Sequence, residues 1–267
     1  MSSKLLKPLN PGETIAVVAP ASSVEAEALK KGLKEIESRG FKTHLPLPVC
    51  KGEEPEDCKF TSASAKARAE AFMEMVLDPQ ISAIFSARGG YGSAHILELL
   101  DFKKITQARK AVVGYSDITV LLSSILERSA VPSIHGPTVA TEFARCEETY
   151  ALKSVESLFS LLSGQVEKSQ ISLEPVLAAG ELEGDLFVGN LSMLQTLMGT
   201  TFEPKLDGMI LLLEDISEPA YRVHRALHHL KSSGKLNNLR GLVLGRFTNE
   251  QAAVSYTHLT LPTICSV

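Results

Sequence analysis

Hydroxyl chemistry in this chain points first to one serine, Ser116. It stands in Ala111-Val-Val-Gly-Tyr-Ser-Asp-Ile-Thr119, where an apolar run reads as a buried strand and DITVLLSSILE reads as a helix. A serine at a sharp strand-to-helix turn is lifted clear of its neighbours. The first amides of the following helix lie beside it, unpaired and partly positive. An activated hydroxyl next to an oxyanion site needs that arrangement. The same placement suits a plain helix cap, with Ser116 closing the helix that begins at Asp117.

Three other groups compete for attention. Ser86-Ala-Arg-Gly-Gly-Tyr-Gly92 lies between a strand, ISAIFS, and a helix expected over Ser93–Leu100. Gly89 and Gly90 permit positive φ and close backbone approach, and successive amides there can hold an anion. The turn lacks GK[ST] and the G-x-G-x-x-G spacing, so its likeness to a phosphate loop is loose and a tight βα turn accounts for it as well. Glu214 and Asp215 emerge at the end of the apolar run GMILLL. A carboxylate there can orient a catalytic histidine, or simply complement the helix that starts near Pro219. His224 and His228 are four apart on one helical face, but Arg225 follows the first of them, which breaks the zincin pattern and favours a solvated face. His135, in Ser-Ile-His-Gly-Pro137, reads as a structural histidine near a strand end. Cys50 and Cys58 have no visible base beside them.

The elements that must position these residues alternate. Thr14–Pro20 is a strand, Val24–Ser38 a helix, Lys42–Pro48 an edge strand, and Ser64–Asp78 an amphipathic helix with a serine cap. Ile81–Ser86, the helix after it, and the Ser116 strand and helix continue the pattern. Alternation of this kind predicts a parallel sheet covered on both faces. The glycine turn and the Ser116 turn then share the carboxyl edge of the strands, where ligands bind in such sheets. Thr149–Ser163 is helical, and Gly164–Ala179 reads as an extended connection. A second block opens with a glycine-punctuated strand or hairpin, runs into a helix near Asn190–Met198, and continues through GMILLL, a helix over Ala220–Lys231 and the strand RGLVLGRF. The expected division is an α/β nucleophile domain over 1–145, a linker over 146–180 and a second domain over 181–267. The tail after Glu250 holds no charged residue and reads as a truncated or foreign ending.

Composition narrows the function classes. The chain has 267 residues, 44% of them hydrophobic and 22% charged, with a net charge of −4, which is ordinary for a globular protein. No basic surplus suggests nucleic acid or anionic lipid as a partner, and no run reaches membrane-spanning length. The four cysteines, Cys50, Cys58, Cys146 and Cys265, have no metal or disulfide spacing and fit free thiols in a reducing cytoplasm. No metal site and no cofactor is expected.

Taken in order, GETIAVVAPAS, ARGGYGSAHILELLD, VVGYSDITVLL, IHGP, GDLFVGNLSMLQTLMGT, LLLEDISEPAYRVHRALHHL and GLVLGRF resemble the LD-carboxypeptidase family of serine peptidases, across nearly all of residues 12–249. The resemblance implies a flavodoxin-like or amidotransferase-like α/β domain carrying the serine, and a smaller β-rich α/β domain carrying a glutamate and a histidine. It implies a site between the domains, a homodimer, and release of terminal D-alanine from murein tetrapeptides during cytoplasmic peptidoglycan recycling. It makes Ser116 the nucleophile and Glu214 the triad acid, with the amides of Gly90 and Asp117 as oxyanion donors and Gly89 and Tyr91 beside the substrate. The family histidine lies in a Gly-His segment downstream of the glutamate. His258 lacks the preceding glycine and the spacer that follows, so the role is not carried over to it, and full activity is expected of the complete protein. Two alternatives stand beside this reading. One is an immunity-type serine hydrolase that cleaves a peptidyl-nucleotide toxin, against which the absence of tryptophan argues. The other is a non-catalytic small-molecule binder that uses the glycine turn, with Ser116 buried as a cap.

Overall fold

The computed structural model describes residues 6–47, 50, 58–165 and 180–248. The tail that carries His258 and Cys265 lies outside them. The chain divides into two units, Met1–Ser169 and Gln170–Val267.

In the first unit, β1 (Thr14–Val18), β2 (Lys42–His44), β3 (Ile81–Ser86), β4 (Ala111–Gly114) and β5 (Ile134–His135) form one sheet in the order β2-β1-β3-β4-β5. Every pairing is parallel. This is the flavodoxin strand order, whose switch point lies between the first and third strands. Parallel strands are covered on both faces, so β1, β3 and β4 are almost wholly apolar, and Ile15, Val17, Phe85 and Val113 are fully buried. Lys42–His44 sits at the edge, as its polar, proline-flanked sequence requires. The strands are in register at their carboxyl ends, with Val18 opposite Ser86, Phe85 opposite Val113 and Gly114 opposite His135. The turns leaving β1, β3, β4 and β5 are thereby brought to one edge.

Helices α1 (Ala26–Ser38), α2 (Ala65–Leu77), α3 (Phe102–Ala108), α4 (Thr119–Ser129) and α5 (Thr149–Leu162) surround this sheet. Ser64 caps α2 by accepting the Ala67 N–H at 3.3 Å. The helix expected over Ser93–Leu100 is instead a tight 3-10 segment, Ser93–Leu99. Gly92, at φ 108, opens it, and Asp101 begins α3 directly after it by accepting the Lys103 and Lys104 N–H groups, so little chain is left for regular α turns. Helix α5, inside the 146–180 interval read as a linker, falls in the first unit. Its apolar stripe, Ala151, Val155, Leu158 and Leu162, is buried, and Leu162 O accepts the Leu9 N–H at 2.8 Å.

The second unit holds β6 (Asp185–Asn190), α6 (Leu191–Leu197), β7 (Met209–Ile216), α7 (Ala220–Ser232) and β8 (Gly241–Thr248). Its strands run in the order β6-β7-β8, all parallel. The segment read as a strand or hairpin is therefore a strand that passes straight into a helix. Among the described residues, no helix is long and apolar enough to cross a membrane.

One contact in the first unit leaves no tolerance. Gly32 lies on the buried face of α1, and a Cβ there would stand 1.9 Å from the Val139 carbonyl oxygen. Backbone cannot retreat as a side chain does, so Gly32→Ala is expected to cost at least ~1–3 kcal/mol. A shift of the urea midpoint to lower concentration at unchanged m-value is the measurement that checks it.

Candidate active site

Ser116 follows β4 by two residues and opens the 3-10 turn Ser116–Ile118 that leads into α4. Its φ is 61, in the left-handed region that costs a residue with a Cβ about 1–3 kcal/mol. Among the described residues, the non-glycine positions with positive φ are Arg109, Ser116, Ala130 and Ser217. Arg109 and Ala130 end helices, where this conformation is routine. Ser116 and Ser217 instead end the strands that carry the two candidate catalytic groups. The N-cap positions of the 3-10 turn and of α4 are Tyr115 and Ile118, so Ser116 lies inside the turn it was read as capping. The serine is half-buried. A strained serine between a buried parallel strand and a helix is the geometry of a nucleophile elbow.

The glycine turn packs directly on this serine. A Cβ at Gly89 would lie 3.0 Å from Ser116 Cβ and 3.2 Å from Ser116 Oγ. Gly90 has φ 111, and a Cβ there would lie 2.4 Å from Ser22 Oγ. Ser22, in the turn after β1, clamps the loop: its N–H donates to Gly89 O at 3.4 Å, its Oγ accepts the Tyr91 N–H at 3.0 Å, and its hydroxyl donates to Phe60 O at 2.6 Å. From the other side, Asp117 Oδ2 accepts the Ser93 N–H at 2.9 Å and Asp117 O accepts the Ser93 hydroxyl at 2.6 Å. As the second residue of a 3-10 turn, Asp117 has no carbonyl within that turn for its own amide. Tyr91 is half-exposed, edge-on to both Phe60 and His95. The residue before the serine is pinned as well: Tyr115 donates its hydroxyl to Glu142 Oε1 at 2.9 Å, and burial raises its pKa well above the ordinary range. Burial lowers His135 to about 4, so its ring is neutral at physiological pH.

Glu214 and Asp215 end β7 with opposite fates, because successive residues of a strand face opposite sides. Asp215 is buried and fully engaged. Its carboxylate accepts from Asn190 Nδ2 at 2.8 Å, the Ser192 N–H at 3.0 Å, the Ser192 hydroxyl at 2.7 Å and the Ile216 N–H at 2.9 Å. It anchors the start of α6, not of α7 as the sequence suggested. Glu214 is half-buried, opposite a β-bulge where β8 fits Leu244–Phe247 against Leu213–Asp215. Burial first, and the Asp215 charge second, raise it to about 7, against a lowering hydrogen bond from Asn190. Sequence reasoning did not single out Ser22, Ser93 or Asn190, since isolated small polar residues carry no spacing signal.

Residues 15–136 match the LD-carboxypeptidase N-terminal domain and residues 183–265 the LD-carboxypeptidase C-terminal domain. The chain is 34% identical over 244 residues to the murein tetrapeptide carboxypeptidase of Pseudomonas aeruginosa, covering 88% of this chain and 76% of that protein. It belongs to the LD-carboxypeptidase family. The muramoyltetrapeptide carboxypeptidase structure from Oxalobacter formigenes superposes with a TM-score of 0.74 at 29% identity, covering 88% of this chain and 76% of that one. The microcin C7 self-immunity protein MccF, in its wild-type apo state, shares the fold with a TM-score of 0.82 at 22% identity, over 94% of this chain and 83% of that one.

Two outcomes follow from the site's geometry. Ser116→Gly releases the left-handed strain and is expected to be about 1 kcal/mol more stable than Ser116→Ala in chemical denaturation. Glu214 binds its proton more tightly folded than unfolded, so its contribution to stability is present below its ordinary value of 4.5 and is lost as pH rises towards about 7. Glu214→Gln is therefore expected to flatten the decline of the thermal midpoint between those values and to exceed wild type above pH 7.

Proposed function

We propose that the protein is a serine carboxypeptidase that hydrolyses the L,D amide of murein tetrapeptides and releases D-alanine. The observation that carries this reading is the strained Ser116, the first residue of its turn, packed against the bare backbone of Gly89. The names of its murein carboxypeptidase relatives support the substrate class. Ser116 Oγ attacks the carbonyl carbon and gives its proton to a histidine, the base that the family pattern implies. The carbonyl oxygen becomes an oxyanion that accepts from the Asp117 and Gly90 amides. Collapse breaks the C–N bond, the histidine protonates the departing D-alanine nitrogen, and water then cleaves the acyl-serine by the same route in reverse. Glu214 accepts the histidine's other ring N–H. On this reading the enzyme is a cytoplasmic homodimer that needs no cofactor.

The immunity-type alternative, cleavage of a peptidyl-nucleotide, draws on the fold shared with MccF. Against a non-catalytic role for the glycine turn stands the place of Ser116, half-buried and inside its turn rather than at the cap position. Incubation of the complete protein, family histidine included, with murein tetrapeptide, followed by chromatography for free D-alanine, tests the proposal. Ser116→Ala is expected to lower release by about 10⁴- to 10⁶-fold. Equal release by that variant, or turnover of a peptidyl-nucleotide alone, overturns the carboxypeptidase reading.

A further inference from the structure

Helix α2 carries a guanidinium on its apolar stripe. Arg68 stands three and four residues ahead of Ala71 and Phe72, and only 3% of it is exposed. A buried guanidinium must find acceptors for its donors. Arg68 finds them on the backbone of three separate segments. Its Nε donates to Ala63 O at 2.9 Å, and its Nη1 donates to Gly92 O at 2.8 Å and to Pro20 O. Pro20 belongs to the turn after β1 and Gly92 to the turn after β3. The Asp117 charge, in the turn after β4, opposes the cost of burying the cation.

The peptide unit joining Gly92 to Ser93 is thus gripped at both ends. Its carbonyl accepts from Arg68 and its N–H donates to Asp117. Two residues earlier, Tyr91 N–H is held by Ser22. The Gly90 amide lies on the short stretch between Gly89 and Tyr91, both tied to Ser22. Moving the 92–93 peptide would shift that stretch and the Asp117 turn together, because one hydrogen-bonded chain connects them. Arg68 takes no part in the proposed hydrolysis as a substrate contact.

We infer that Arg68 is a positioning residue for the oxyanion site: its grip on the 92–93 peptide sets the Gly90 and Asp117 amides relative to Ser116 Oγ. The inference rests on Ser116 being the nucleophile. Its test uses the full chain carrying Arg68→Lys, which keeps the charge but loses the forked geometry. Thermal midpoint, kcat and KM for tetrapeptide, and the rate at which a fluorophosphonate labels Ser116 are measured. The expected result is a folded variant whose kcat and labelling rate fall together by about 10- to 100-fold, with KM within about threefold of wild type. A folded variant with wild-type kcat and labelling overturns the inference, as does a kcat loss that only follows the unfolded fraction. If Arg68→Lys does not fold, Arg68→Met with Asp117→Asn removes both charges together, a change that buried pairs commonly tolerate, and the same falls in rate are expected. Complete wild-type protein, family histidine included, that releases no D-alanine sinks the carboxypeptidase reading alone. The labelling ratio then decides the role of Arg68, and only unlabelled wild-type Ser116 sinks both.

Discussion

A left-handed serine at the end of a buried strand persists only where its surroundings over-determine it. Here the constraint is the closeness of two turns. The Ser116 side chain occupies the space that a Cβ at Gly89 would need, and Asp117 is bound through both its carboxylate and its carbonyl to Ser93. Neither turn can relax without displacing the other. The strain at Ser116 is therefore supported by hydrogen bonds and packing spread over the ends of three strands, β1, β3 and β4. A parallel sheet in the 2-1-3-4-5 order suits this, because its register brings those ends into line.

Much of this arrangement was legible in the sequence because it rests on local rules. Ile81–Ser86 is an apolar run of strand length, Ser64 is a good cap, and Lys42–His44 declares itself an edge by its polarity. The glycine turn and Ser116 were recognisable because only particular residues fit there. Helix α5 was read as a helix over Thr149–Ser163, and its stripe completes the first unit's core. One misreading arose where tertiary contacts overrode local pattern. The 93–99 segment looked helical by periodicity, but its two ends are fixed by Gly92 and by the Asp101 cap. Arg68 left a readable trace, since it occupies the apolar face shared by Phe72 and Met75, and a cation on such a face demands an internal partner. The identity of that partner depends on loops far away in sequence and could not be read in advance.

The second unit follows the same economy with different parts. Strand β6 delivers Asn190, which caps α6 through its side-chain oxygen while its amide nitrogen donates to Asp215. Helix and strand end are locked by one short polar network, and Glu214 on the adjacent position meets it through a hydrogen bond from Asn190. Desolvation then governs its protonation, and its value of about 7 reflects burial beside a second carboxylate.

Adjacent acids with separate employments have an evolutionary corollary. Under the catalytic role proposed for Glu214, lineages that abandon peptide-bond cleavage would be free to drift there, yet would have to keep an acceptor at Asp215 to hold the helix in place. A descendant with an altered 214 and an intact 215 would thus record a scaffold outliving its original chemistry, written in two neighbouring codons.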